Sequence, residues 1–326
     1  MLREVDKSIL VLHETVNADA RADAADTLVQ AKTVAGALQD LGWNVTTLAI
    51  DLDLESMLAA VAAAKPDCVF NLVESMHGVD RLMHIVPSVL SAARIRYTGA
   101  DSDAMYISSH KLLAKHWMKL KGIPTPGWFL PGEDKPQIDA SWIVKSVTEH
   151  ASFGLDDACV VKNLAAARAR IDHCRAQHGG EWFAEQFIDG REFNVSVLEV
   201  DRKPRILPLA EMTFVDYPRG KPKIVGYAAK WDAAAPEFHA TQRSFARLPA
   251  AEHDAIVEVV QNCWQSFHLR GYARVDLRMD AAGVPWVLEV NVNPCLSPDA
   301  GFVAALAEAG MTTAEGIGHI VNASLY

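Results

Sequence analysis

Short apolar runs alternate with helical spacings over the first hundred residues. Ser8–Leu12, Val45–Ile50, Cys68–Val73 and Ile95–Tyr97 read as strands, and Leu28–Leu41, Glu55–Ala64 and Val79–Ala92 as the helices between them. In the first helix Leu28, Ala31, Ala35, Leu38 and Leu41 share one face, and Gly42 ends the run. Strands separated by helices of roughly 10–15 residues fold as a parallel sheet covered by helices.

The middle of the chain changes character. Asp103–Leu120 reads as one helix rich in lysine and histidine, and Gly122-Ile-Pro-Thr-Pro-Gly127 breaks it. Short β-like runs follow at Trp128–Leu130 and Trp142–Val147, then a helix Asn163–His178 stopped by Gly179-Gly180. Strands dominate next: Phe183–Ile188, Glu192–Val200, Arg205–Leu209 and Ile224–Tyr227. A helix Ala250–His268 precedes two strand-like runs, Tyr272–Met279 and Pro285–Val290, joined by a hairpin turn at Asp280–Gly283. Helices Ala300–Ala309 and Ala314–Ser324 close the chain. Asp216–Thr241 has little periodicity and is too long for a routine connection, which makes it a candidate functional loop.

Composition narrows the function. The 326 residues are 50% apolar and 22% charged, with a net charge of −10. A chain of this length can bury a large core and divides into two or three domains. A nucleic-acid surface needs positive charge to neutralise phosphates, so that class is disfavoured. The five cysteines are scattered without a CxxC pair, as in a reducing cytoplasm. No apolar run reaches about 18 residues, and Ile9–Leu12 is too short for the core of a signal peptide. The expectation is a cytoplasmic protein with no membrane partner.

The chemistry gathers near the end. Arg274 and Asp276 alternate on one strand, and Glu289 and Asn291 on the next, so each pair shares a face. Pairing through the Gly283 turn would bring two carboxylates and an amide oxygen beside an arginine. Few, hard oxygen ligands suit Mg²⁺ that also contacts phosphate; a solvated strand edge carrying an Arg–Asp pair is the other reading. Lys145 interrupts an apolar run ahead of Thr148-Glu-His-Ala-Ser-Phe-Gly154, a polar loop able to offer backbone N–H groups to an anion. On spacing alone an ordinary turn is the favoured reading, as a plain hairpin is for Glu185-Gln-Phe-Ile188 and Glu192. GxSxG, GxxxxGK[ST] and GxGxxG are all absent, which disfavours a hydrolase elbow, a P-loop and a dinucleotide fold.

The order of these pieces resembles the ATP-grasp fold, and more narrowly D-alanine–D-alanine ligase and its relatives. The resemblance runs from about Ile9 to the C-terminus. It includes Tyr97-Thr-Gly99, the helix start Ser109-His-Lys111, and the spacing from His77-Gly78 to Tyr97. It implies an α/β (α+β) fold of three domains near residues 1–98, 99–183 and 184–326, the first built on a parallel sheet. ATP and two Mg²⁺ would be bound, with Mn²⁺ as the substitute ion. Lys111, Lys145 and Ser152 of the polar loop would meet the phosphates. Glu185, Gln186, Phe187 and Ile188 would frame the adenine, Glu192 would hold the ribose, and Lys230 would reach the γ-phosphate. Asp276, Glu289 and Asn291 would bind metal, and Arg274 would stabilise the oxyanion. His77 would orient a substrate and Ser297 would hold its carboxylate.

The implied reaction joins a carboxylate to an amine through an acyl phosphate, yielding ADP and phosphate. Homodimers are common in the family and are expected here on that basis. The substrate half departs from the pattern. Ala151 stands at the family's loop serine, Trp231 at its tyrosine, and Ser146 replaces the proline after Lys145. Glu14, in His13-Glu14-Thr-Val-Asn, approximates the family's N-terminal glutamate. The substrates are therefore amino-acid-like but distinct. The alternative activity is an ATP-grasp kinase acting on a small molecule, and a nucleotide-binding protein without catalysis is a third reading.

Overall fold

The computed structural model describes residues 7–16, 22–132, 140–217, 219–245 and 247–325. Asn17 of the N-terminal motif and Pro218 of the long loop lie outside them. Three sheets organise the chain. The first is parallel, in the order β2-β1-β3, with β1 Ser8–Glu14, β2 Asn44–Ile50 and β3 Cys68–Asn71. Helices α1 Ala22–Asp40, α2 Leu54–Ala64 and α3 Ile85–Ala92 cover it. Alternation along β1 decides the layering. Ile9 and Val11 pack toward α1, whereas Leu10 and Leu12 pack toward α2 and α3. The expected helix Val79–Ala92 is shorter, because Asp80–Leu82 forms a separate 3₁₀ turn.

The helix expected over Asp103–Leu120 is two helices, α4 Ser102–Ser108 and α5 Lys111–Leu120. A tertiary hydrogen bond explains the break. Lys111 N–H donates to the Val147 carbonyl, and a ring nitrogen of the extended residue His110 caps the new helix at Leu113 N. The second sheet is antiparallel, β4-β7-β5-β6, built from β4 Trp128–Phe129, β5 Trp142–Ser146, β6 Val160–Val161 and β7 Trp182–Gln186. Helix α6 Leu164–His178 packs on it. The expected boundary between residues 183 and 184 falls inside β7.

The third sheet has six strands: β8 Arg191–Val200, β9 Lys203–Ile206, β10 Ala210–Phe214, β11 Thr241–Phe245, β12 Tyr272–Met279 and β13 Pro285–Asn291. Its order is β11-β10-β8-β12-β13, with β9 beside β8. Strands β10 and β11 are additions to the sequence reading, and Arg205–Leu209 contributes only part of β9. The apolar run Ile224–Tyr227 is not a strand. It leads into α7 Tyr227–Trp231, followed by α8 Pro236–Ala240. The β12–β13 hairpin forms as expected, with Gly283 at φ +80° and Asp280 accepting from Ala282 and Val284 amides.

One face of this sheet packs on α4, α5 and α9 Ala250–Ser266, through Val195, Val275, Leu277, Ile256 and Val260. The last helices, α10 Gly301–Glu308 and α11 Thr313–Leu325, return to the first sheet and share a core with Ile9, Val34, Leu38 and Phe70. The C-terminus thereby ties the third sheet to the first. No helix among the described residues is long and apolar enough to cross a membrane.

Candidate active site

The alternation that buries Ala273, Val275 and Leu277 turns Arg274, Asp276 and Arg278 to the opposite face of β12. Their cross-strand neighbours on β8 are Ser196, Asn194 and Glu192. On β13, Asn291 lies opposite Arg274 and Glu289 opposite Asp276, after which a bulge shifts the register. The hairpin therefore gathers Arg274, Asp276, Glu289 and Asn291, as their spacing predicts. Arg274 holds Asp276 through Nε at 2.7 Å and Nη2 at 2.8 Å, and Asn291 Nδ2 donates to the same carboxylate at 3.1 Å. The Asp276 charge keeps the Arg274 guanidinium firmly protonated, although burial opposes it.

Opposite the hairpin stands the 148–154 loop. His150 Nδ1 lies 3.1 Å from Glu289 Oε1, and Lys111 Nζ lies 3.7 Å from the same oxygen. Burial pushes the Glu289 pKa up, but Lys111 and His150 outweigh it and hold it well below the usual carboxylate range. Lys111 also donates to the Glu149 carbonyl at 2.6 Å. The His150 amide donates to Asp80 Oδ2 at 2.9 Å, which fastens this loop to the N-terminal region. Ala151 at φ 56° and Ser152 at φ 63° are left-handed without being glycine. At Gly154 a Cβ would stand 2.6 Å from the Trp182 ring, so only glycine lets the loop close on that side chain.

The long loop lies on this one. Ser152 Oγ donates to the Val225 carbonyl at 2.9 Å, and Trp231 Nε1 to the Ala151 carbonyl at 3.2 Å. Tyr227 N–H reaches the Leu155 carbonyl at 3.0 Å. Lys230, on α7, comes within electrostatic reach of Arg274, Asp276, Glu289 and Glu192. The loop without periodicity thus covers the polar face of the hairpin.

Lys145 and Glu185 are neighbours across β5 and β7. Lys145 Nζ is 2.5 Å from Glu185 Oε1, and Lys115 Nζ is 2.5 Å from Oε2. Lys115 was missed by the sequence reading, yet it sits one helical turn from Lys111, which is the signal that could have found it. Glu185 and Lys115 are each 1% exposed, and the Glu185 side chain anchors both lysines. Burial works against the Glu185 carboxylate, and the two lysines still hold its pKa below the ordinary value. Gln186 and Phe187 continue from β7, with the Phe187 amide bonded to the Ser141 carbonyl. Ile188 is buried, and its carbonyl accepts from Arg278, as the Glu192 carboxylate does.

At the far end, Ser297 Oγ donates to both oxygens of Asp26 at 2.9 Å, and Cys295 contacts the same carboxylate. Glu14 is buried; it accepts from Thr27 Oγ1 at 2.9 Å and from the Glu74 amide. Burial, reinforced by the Glu14 charge, pushes the Glu74 carboxyl up to about 8. Asp26, Glu74, Asp80 and His150 were not picked out from the sequence. His77 stands exposed at φ 52° on the Met76–Val79 turn, and among the described contacts nothing links it to the cluster.

A family model described as D-ala D-ala ligase C-terminus matches residues 135–322. The chain belongs to this family. It is an ATP-dependent ligase of the ATP-grasp class. The uncharacterized protein y4sG of Sinorhizobium fredii is 29% identical over 289 residues, covering 86% of this chain and 82% of that one. A D-alanine–D-alanine ligase of Methylococcus capsulatus is 27% identical over 303 residues, 91% of this chain and 90% of its own. Among solved structures, the D-alanine–D-alanine ligase of Bacillus anthracis complexed with ATP superposes with a TM-score of 0.74 at 18% identity, covering 98% of this chain and 97% of that one. VanG D-Ala:D-Ser ligase from Enterococcus faecalis gives 0.73 at 17%, covering 98% and 99%. These structures establish the ATP-grasp fold, and the family's matched segment contains the hairpin, β7 and both loops.

The donor set is consistent with Mg²⁺. Asp276, Glu289 and Asn291 offer hard oxygens, and Glu289 is held ionised.

Proposed function

We propose that the chain joins an amino-acid-like carboxylate to an amine, consuming ATP and releasing ADP and phosphate through an acyl phosphate. The observation that carries this reading is the convergence of Arg274, Asp276, Glu289 and Asn291 on one hairpin face with Lys111, His150 and Lys230 around it. In this reading Lys111, Lys145 and Lys230 neutralise the phosphates. Asp276, Glu289 and Asn291 hold Mg²⁺, which when bound spreads the charge that develops on the transferred phosphoryl group.

A carboxylate is a poor electrophile, so the first step must make a leaving group. A carboxylate oxygen takes the γ-phosphoryl group, and ADP departs. The amine then attacks the acyl carbon, phosphate leaves, and a proton is lost from nitrogen. Arg274 is the preorganised donor for the oxyanion of the tetrahedral intermediate. The two loops docked on each other exclude the water that would hydrolyse the acyl phosphate.

Arg243, within electrostatic reach of Arg274, suits the carboxylate of a substrate. Ala151 and Trp231 stand where the family carries a hydroxyl, which supports substrates other than a pair of D-alanines. The test is a phosphate-release screen over pairs of L- and D-amino acids. Release of ADP and phosphate that needs both partners supports the reading. AMP and pyrophosphate, or a stable phosphorylated product with no amine requirement, excludes it.

A further inference from the structure

Arg278 is 3% exposed and faces the same side of β12 as Arg274 and Asp276, directly opposite Glu192 on β8. Its guanidinium makes four hydrogen bonds to three separate segments. Nε and Nη2 donate to Glu192 Oε2 at 3.0 and 2.7 Å, and Nη1 donates to the Ile188 carbonyl at 2.9 Å. Nη2 also donates to the carbonyl of Lys223 in the long loop. The plane lies over the Phe187 ring, 4.9 Å from its centroid. The hinge is fastened at the same place, because a Cβ on Gly190 would stand 2.1 Å from the Met279 carbonyl.

Both Arg278 bonds to Glu192 end on Oε2. Among the described residues no donor reaches Oε1, and the side chain keeps 13% exposure. One oxygen is thus fixed by the protein and the other remains for a ligand. A lysine could not replace this arrangement, since only a planar fork serves a carboxylate and two carbonyls at once.

We propose that Arg278 is a nucleotide-positioning residue: it aims the free oxygen of Glu192 at a ribose hydroxyl and clamps the long loop to the hinge beneath it. The proposal rests on the ATP-ligase reading and adds to it a residue that reads the ribose indirectly. A purely structural Arg–Glu pair would give the same static contacts. The two differ in whether the pair senses the ribose.

The test is equilibrium binding of Mg·ATP against Mg·2′-deoxyATP and Mg·3′-deoxyATP, by calorimetry on the full chain. The wild type is expected to prefer ATP over at least one deoxy analogue by about tenfold, the worth of one hydrogen bond to a charged group. Glu192→Gln and Arg278→Met should each reduce that preference to about threefold or less. Arg278→Lys keeps the cation and much of the packing but loses the fork, so it should also lose most of the preference; it serves as the readout if Arg278→Met does not fold. If Glu192→Gln loses the preference while the Arg278 variants keep it, the positioning role is overturned and the nucleotide reading stands. If the wild type binds no ATP, or Glu192→Gln keeps the preference, the assignment of Glu192 itself fails.

Discussion

Replacing Glu185 with glutamine removes the one anion between the buried Lys115 and the partly exposed Lys145. At the 2.5 Å contacts, an effective dielectric near 20 gives roughly 6–7 kcal/mol of attraction for each pair. Desolvation of the ions opposes this by several kcal/mol each, so the net loss is set by the charge left stranded, about 3–5 kcal/mol. Lys115 carries most of it, being 1% exposed against 17% for Lys145. With an unfolding entropy of about 2.1 cal/mol/K per residue over 326 residues, that loss lowers Tm by roughly 4–7 °C. Urea and thermal unfolding of the variant measure it. A double variant, Lys115→Met with Glu185→Met, removes the buried ion and its partner together and should recover most of the stability. A loss below about 1 kcal/mol in the single variant would refute the reasoning. It would mean that Lys115 sheds its proton without cost.

Two further outcomes follow from the same geometry. Glu289→Gln should fold normally and lose at least about 10²–10³ in turnover, the scale of removing one preorganised electrostatic group, with phosphate release as the readout. Glu74→Gln should stabilise the protein increasingly as pH rises. A carboxyl held up to about 8 in the fold and near 4.5 when unfolded keeps its stability contribution below pH 4.5 and loses it as pH rises to 8. The gain at pH 8 is at most about 5 kcal/mol at 1.36 kcal/mol per pH unit, read from unfolding at pH 5 and pH 8.

The hairpin was legible in the sequence because period-two alternation needs no partner to be read. Arg274, Asp276, Glu289 and Asn291 interrupt apolar strands at positions that local geometry alone assigns to one face. The break at Ser109–His110 was not legible from periodicity, since it depends on a hydrogen bond from Lys111 to Val147 on another element. Strands β10 and β11 escaped because they pair at a sheet edge through the half-buried Thr213 and the exposed Gln242 and Arg243, which carry no apolar signal. Ile224–Tyr227 looked like a strand because it is apolar, but its backbone instead docks on the 148–155 loop, through the Val225 carbonyl, the Tyr227 amide and the close approach of Gly226 to the Leu155 carbonyl. Arg278 was hidden for a related reason. A buried charge is recognised by its counter-ion, and Glu192 lies far off in the chain.

The most direct measurement of the central claim follows an oxygen atom. With a carboxylate substrate carrying ¹⁸O in both positions, an acyl-phosphate path transfers one labelled oxygen to inorganic phosphate, and ADP is the other product. Mass spectrometry of the released phosphate should find one ¹⁸O per phosphate in every turnover that forms an amide. Unlabelled phosphate beside a newly formed amide, or label found in AMP, would contradict the account.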